Sequence, residues 1–420
     1  MTKYDMLMKM HHIDRAQIQE QLRRRGIDPE HIRALHVKLQ SGELDQSSFV
    51  VAPKRLRAPT TTDVILPDRL DRPSLQKLGE NLLRQDKLLL FWLSGGAATR
   101  YFDPSKIKSE EHERYGKILN AMGDTMSYLP KGTTPVVNGM SYLELKIRNL
   151  LHVTKQCQLD VHPQVVLMTS FLTDEQTRAH LSVLFQKYPD LDPSRFHFVV
   201  QEPRLPRFTK VADIKNIDLF INNRDQLSFA PCGHGDFVYL VQDYLRKVRI
   251  PNVEYMFFAN ADNLAATVEP WLLGLHAQAK TGRTVELVEK QADDQGGAPC
   301  FVDDQLVILE GMKFPSDFDQ NRIPWINTNT FWFTLNDLLQ FQEDLPLVLA
   351  EKTIPDGDVI QLEHFACDVN VPSQYVVLPR LERFWPVKRY VDLLIYQDPG
   401  SSIELYEQFE TLLHTAYNVH

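Results

Sequence analysis

Residues 257–269 read FFANADNLAATVE. The run Phe257-Phe258-Ala259 is apolar on both faces, and it stops at an acid between two amides, Asn260-Ala261-Asp262-Asn263, before a helix-compatible stretch begins. Two-faced apolar character marks a strand covered by helices on each side. LLLFWLSGG (88–96), PQVVLMTSF (163–171), RFHFVVQ (195–201) and TVELVEK (284–290) share it, separated by segments of helical pattern. The expected fold is α/β, with a Rossmann-like mixed, mostly parallel sheet. Ligands of such sheets bind beyond the carboxyl ends of the strands, so polar groups at strand ends are the candidates for function.

Composition narrows the classes. With 420 residues, 43% of them hydrophobic, the chain can bury a sizeable core. Its net charge of -9 argues against a general nucleic-acid binder and leaves room for a local basic pocket that takes a phosphorylated ligand. No apolar run approaches the roughly 18 residues of a membrane span. The opening MTKYDMLMKMHHIDR lacks a signal-peptide core. A soluble, cytoplasmic protein with no nucleic-acid or membrane partner is expected. Cys157, Cys232, Cys300 and Cys367 form no CxxC pair, which gives no sign of a disulfide framework or a structural zinc site.

Residues 1–75 read as a helical hairpin and a linker. A charged run over residues 14–25 is closed by Gly26, and Asp28-Pro29 offers a cap and a first-turn proline for a second helix to Gln40. Residues 51–68, VAPKRLRAPTTTDVILPD, have proline punctuation and no amphipathic period, as a linker would. The main domain is placed at 76–398 and a helical tail at 399–420.

Three turns carry chemistry. Ser94-Gly95-Gly96-Ala97-Ala98-Thr99-Arg100 follows a strand; its glycines let backbone N–H groups approach phosphate oxygens, and Arg100 adds positive charge. It matches neither the P-loop nor the dinucleotide fingerprint, and such a turn is as readily structural. Pro231-Cys232-Gly233-His234-Gly235-Asp236 exposes backbone to a planar or phosphorylated ligand, or is simply a tight turn with Asp236 capping the helix DFVYLVQDYL. Asn260-Ala261-Asp262-Asn263 suits a magnesium ion that keeps waters and takes its other ligands from phosphates. The plain alternative makes Asp262 the cap of a helix starting near Leu264.

Taken in order, and joined by Asn327-Thr328-Asn329 and a late Pro386-Val387-Lys388, these turns resemble the eukaryotic-type UTP–glucose-1-phosphate uridylyltransferases (UDP-glucose pyrophosphorylases). The likeness runs over residues 89–398 through VVLMTSFLTDEQT, VVQEPRLPR, PCGHGD, VEKQADDQGG, INTNTFWF, DVIQLEHFACDV and RFWPVKRYVDLL. It implies a sheet of the sugar nucleotidyltransferase (GT-A-like) type, UTP and glucose 1-phosphate as substrates, and Mg2+ as cofactor. It also implies roles. Ser94, Gly95 and Gly96 would hold nucleotide phosphates, and Gln201 and Gly233 would read uracil. His234 would lie beside the sugar phosphate, with Asn260, Asn329, Glu310 and Gly297 facing the sugar. Asp262 would bind metal, while Lys388, Lys131 and Arg100 would supply charge at the reacting phosphates.

Two departures shape the expectations. Ala97-Ala98-Thr99 stands where the family usually has Leu-Gly-Thr, which puts a methyl group at a glycine that normally meets phosphate. The family's Gly-Pro-Lys lysine lies close behind its Gly-Gly pair, whereas Pro130-Lys131-Gly132 comes 35 positions after Gly96. The text after it, TTPVVNGMSYLELKIRN, selects Lys131 over Lys106 and Lys108. Residues 103–129 then read as an insertion whose middle, SEEHERYGKILNAMG, forms a helix with Ser109 as cap, Tyr115, Ile118, Leu119 and Met122 on one face, and a closing glycine. Lying between two phosphate-binding segments, it reads either as a plain surface helix or as a lid, mobile or controlled by a protein activator or regulator acting on it, that positions Lys131 when closed. In the tail, Ile403, Tyr406, Phe409, Leu412 and Leu413 fall at helical spacing where the family continues into a β-helix domain, so one packed helix and a monomer, or a dimer through another surface, are expected. Three classes compete: a non-catalytic nucleotide-sugar-binding pseudoenzyme, a uridylyltransferase for another sugar 1-phosphate, and a glycosyltransferase using UDP-glucose. The last lacks an evident Asp-x-Asp motif, the nearest acid pair being Asp293-Asp294.

Overall fold

The computed structural model describes residues 15–44, 49–96, 101–103, 107–126, 129–292, 294 and 296–419. Seven strands form its central sheet: β1 (Leu88–Leu93), β2 (Gln164–Ser170), β3 (Phe196–Gln201), β4 (Tyr255–Asn260), β5 (Arg283–Glu289), β6 (Trp325–Thr334) and β7 (Ser373–Leu378). Their spatial order is β7-β5-β6-β4-β1-β2-β3. β4, β1, β2 and β3 run parallel, as do β5 and β7, while β6 is antiparallel to both of its neighbours. The sheet is the mixed, mostly parallel one read from the sequence.

The apolar runs have two faces because alternate side chains enter different cores. Leu89 and Phe91 of β1 join one buried cluster, and Leu88, Leu90 and Trp92 join the other. All five are at most 2% exposed. Met256 and Phe258 of β4 go with the first set, Phe257 and Ala259 with the second. β4 pairs with β1 so that Asn260 stands opposite Leu93, and β3 pairs with β2 so that Gln201 stands opposite Ser170. The candidate turns therefore leave the same edge of the sheet.

The helix Arg72–Arg84 crosses the division placed at residue 75, and its Leu75 and Leu83 lie in the core of β1. It touches the helix Pro270–Ala279 backbone to backbone: a Cβ at Gly79 would stand 1.7 Å from the Pro270 oxygen, and one at Gly274 2.0 Å from the Leu75 oxygen. Residues 51–68 are packed rather than loose. Leu56 and Arg57 pair with Val302 and Phe301, and Ile65 bridges to Val376. Ahead of them, the helices Arg15–Arg23 and Pro29–Gln40 form the hairpin, with Asp28 capping the second, and Ile18, Leu35 and Leu39 bury against Phe208, Leu219 and Phe229.

In the inserted segment a helix runs over Ser109–Met126. Gly123 lies inside it rather than closing it, a placement that costs a helix only about 1 kcal/mol. Tyr115 and Leu119 are buried, but Ile118 is 49% exposed and does not share their face. The tail folds as the helix Ile403–Tyr417, whose Phe409, Leu412 and Leu413 pack in one cluster with Tyr115, Leu119, Val387 and Tyr390. Among the described residues no helix is long and apolar enough to cross a membrane. All four cysteines are free and buried.

Candidate active site

After β4 the chain does not enter a helix; the next one begins at Pro270, so Asp262 caps nothing. Instead residues 385–387 run antiparallel beside residues 262–264. Trp385 N donates to Asn263 Oδ1 (3.0 Å), Leu264 N to Trp385 O (3.2 Å) and Val387 N to Asp262 O (3.4 Å). Asn263 Nδ2 donates to Arg383 O (3.1 Å), which commits this amide to structure. From beneath, Lys146 donates to the carbonyls of Asn263 (2.9 Å) and Ala266 (2.6 Å). Lys146 is 3% exposed, and burial brings its pKa down to about 7.

Lys131 arrives on a short turn whose backbone N–H donates to Gly96 O (3.4 Å). Its Nζ donates to Asp262 Oδ2 (2.5 Å) and to Val387 O, and lies 5.1 Å from the centroid of the buried Tyr101 ring. A lysine, an acid and the late Pro-Val-Lys segment thus meet at one point. A cavity of about 310 Å³ opens there. Into it face Ser94, Gly95 and Gly96 after β1, Gln201 at the end of β3, Gly233 and His234, and Asn260 with Asp262 and Lys131.

Close approach explains two of the glycines, Gly233 and Gly132. Gly233 has φ +82, and a Cβ on it would stand 2.5 Å from His364 O. One on Gly132 would stand 2.5 Å from Ser94 Oγ, and that hydroxyl is buried with no hydrogen-bond partner among the described residues. An orphaned donor at a strand end invites a polar ligand.

The Gln201 amide donates to Gly233 O (2.7 Å) and Asp236 Oδ2 (3.2 Å), while Asp236 Oδ1 meets His364 Nδ1 at 2.7 Å. Asp236 precedes the helix Phe237–Lys247 but makes no side-chain cap, because its carboxylate is spent on Gln201 and His364. The Ala366 N–H donates to His234 Nδ1 (3.0 Å), and burial pushes the imidazole pKa down. The ring is therefore neutral with its proton on Nε2, ready to donate.

The remaining candidates stand further off. Asn329, at φ +56, donates to Asn260 Oδ1 (3.0 Å) without lining the cavity. Gly297 and Glu310 lie side by side outside it; a Cβ on Gly297 would be 2.9 Å from Glu310 Oε1, and burial raises the Glu310 carboxyl. Lys388 is exposed, next to the Val387 carbonyl that Lys131 holds. Arg100, with Ala97, Ala98 and Thr99, lies outside the described residues. No described residue of the inserted helix lines the cavity. Arg207, Gln361 and Glu363 do line it and were not singled out in the sequence. Arg207 donates to Ser228 Oγ (2.9 Å) and Gln361 Oε1 (3.3 Å). The second of two Pro-Arg pairs after Gln201, Pro206-Arg207, is its local signal, and a loop arginine facing a cavity reads like one facing water.

A profile of the family described as UTP--glucose-1-phosphate uridylyltransferase matches residues 116–408. The chain belongs to that family. Among relatives, the UTP--glucose-1-phosphate uridylyltransferase of Saccharomyces cerevisiae is 30% identical over 307 residues, 66% of this chain and 58% of the relative. The protein of the same name from Encephalitozoon cuniculi is 28% identical over 297 residues, 67% of this chain and 57% of the relative. The chain thus spans less than two thirds of the length of either. Among solved structures, a variant of UDP-glucose pyrophosphorylase from Leishmania major in complex with UDP-glucose superposes with a TM-score of 0.64 at 22% identity, covering 90% of this chain and 77% of that one. The uridine diphosphate N-acetylglucosamine pyrophosphorylase of Trypanosoma brucei gives 0.63 at 15% identity, covering 91% and 82%. These likenesses place the fold within the family's architecture.

Proposed function

We propose that the protein is a uridylyltransferase that makes UDP-glucose and pyrophosphate from UTP and glucose 1-phosphate. The convergence of Lys131, Asp262 and the Val387 carbonyl beside Gly95 and Gly96 carries this reading. A sugar phosphate oxygen is already an anion, so its attack on the α-phosphorus needs no strong base. What it needs is neutralisation of the charge that two polyanions bring together.

The residues divide that work. Ser94 Oγ and the backbone at Gly95 and Gly96 receive the triphosphate. Gln201, its amide nitrogen tied to Gly233 O and Asp236, keeps its oxygen for an N–H of the base. His234 donates from Nε2 to the sugar phosphate, and Asn260, braced by Asn329, accepts or donates to sugar hydroxyls. Lys131 and Lys388 stabilise charge at the reacting and leaving phosphates. Asp262 has one oxygen on Lys131 and a 32% exposed side chain, which fits a cation that takes one carboxylate and completes its shell from water and phosphate. Bound there, Mg2+ would neutralise phosphate charge and polarise the phosphoryl centre.

The test is pyrophosphate release by the purified chain from UTP with a panel of sugar 1-phosphates. Release with glucose 1-phosphate, abolished by chelation, is the expected result. Tight UTP binding with no release from any sugar phosphate would instead make the protein a non-catalytic sensor.

A further inference from the structure

We infer that the helix Ser109–Met126 sets the position of Lys388, with Glu111 and Arg389 as positioning residues; the inference rests on the catalytic reading of Lys388 above. Arg389 forms a fork with Glu111, Nη1 to Oε2 at 2.8 Å and Nη2 to Oε1 at 3.1 Å. The same guanidinium donates to Asp392 Oδ1 from Nη2 (2.7 Å) and Nε (3.1 Å). The other oxygen of Asp392 accepts from the backbone N–H groups of Lys388 (3.0 Å) and Arg389 (2.8 Å). The side chains of Glu111, Asp392 and Arg389 are 13%, 15% and 24% exposed, so the network is largely sheltered from water. Forked, charge-assisted bonds of this kind fix orientation as well as distance.

A second anchor lies further along. Arg114 Nε stands 2.6 Å from Asp398 Oδ2, and the Tyr115 hydroxyl donates to the same oxygen at 2.7 Å. Tyr115 and Leu119 pack in one cluster with Val387, Tyr390 and Val391, and Tyr390 N donates to Tyr101 O at 2.8 Å. The neighbours of Lys388 are thus gripped from two directions. Val387 is tied to Asp262 through its N–H and to Lys131 through its carbonyl, and both of those residues line the cavity. Arg389 is tied to the inserted helix. Between them the Lys388 backbone has little freedom, and its side chain starts from a fixed point. The helix read as a lid is docked on the segment that carries the lysine, a placement that serves orientation rather than gating.

The experiment compares wild type, Glu111→Gln and Arg389→Lys in UDP-glucose synthesis, each repeated with Lys388→Ala. Both single variants are expected to lower kcat roughly 10- to 100-fold while KM for both substrates stays within about twofold, as displacement of a catalytic group does. With Lys388 already removed they are expected to cost nothing more, because the effect passes through that residue. Wild-type kcat in both variants, a loss confined to KM, or equal losses in both backgrounds overturns the inference. A wild type that makes no UDP-glucose overturns the underlying reading instead. Hydrogen exchange at the Lys388 and Arg389 amides then decides alone: it should quicken in Glu111→Gln, and unchanged exchange overturns the inference.

Discussion

Lys131 holds the Asp262 carboxylate and the Val387 carbonyl, Lys146 holds the carbonyls of Asn263 and Ala266, and the two do different things with their charge. Lys131 faces the cavity with a carboxylate beside it, so Lys131→Met removes a cation from the proposed reacting centre and takes the ion-pair partner from Asp262. Turnover should fall roughly 100- to 1000-fold, the scale of losing one preorganised charge-stabilising donor. Lys388→Ala should fall as far, and initial rates of pyrophosphate release check both; a change confined to KM would make either lysine a ground-state binder. Lys146 has two carbonyls and, among the described residues, no ion pair. Burial lowers its pKa from 10.5 to about 7, so between those values the unfolded chain binds the proton and the folded chain does not. Stability therefore rises with pH across that window. Urea unfolding at several pH values should show the climb in wild type and a smaller one in Lys146→Met. At this scale the sequence marks Gly95, Gly96, Gly233 and Asp262 as turn or strand-end positions that face the cavity, whereas Lys131 is singled out only by the family resemblance of the text that follows it. The commitment of Asp236 to His364, 128 residues away, was not legible, since a cap is a local pattern and this partner is not.

Elements were legible where their burial was two-sided. β1 and β4 announce themselves because their runs are apolar on both faces, in β4 up to Asn260, whereas the end of the inserted helix was misjudged since a single glycine does not stop a helix that has a face to bury. Nothing in the sequence showed that Gly79 and Gly274 let two helices touch. A methyl group at Gly274 would meet the Leu75 oxygen, and Gly274→Ala should cost about 1–3 kcal/mol in urea unfolding as the helices part. The short helix Arg380–Arg383 is anchored by Arg383, whose guanidinium grips Glu286 of β5 at 2.7 and 2.8 Å with side chains 3% and 0% exposed. Glu286→Ala leaves a buried cation with only the more distant Glu269, 3.9 Å away, and should cost about 3–5 kcal/mol. Since Arg383 leads directly into residues 385–388, turnover in that variant should fall even under conditions where the protein stays folded.

Across the whole molecule, the order of strands is what brings residues 94–96, 131, 201, 233 and 260–262 to one edge. The sequence shows which runs are strands and which turns are polar, but pairing is a long-range property. The antiparallel placement of β6 between β4 and β5, which sets Asn329 against Asn260, could not be read from any local pattern. The packed 51–68 segment was missed for a related reason: its partners, Phe301, Val302 and Val376, lie more than two hundred residues away. On the proposed function, this assembled edge transfers a uridylyl group with Asp262 holding the cation. The most direct measurement runs the reaction backwards, supplying UDP-glucose, pyrophosphate and Mg2+ to wild type and to Asp262→Asn and following UTP. Wild type should form UTP and glucose 1-phosphate, and Asp262→Asn should lose its response to Mg2+; a wild type that binds UDP-glucose yet returns no UTP, or a variant with undiminished Mg2+ dependence, would contradict the account.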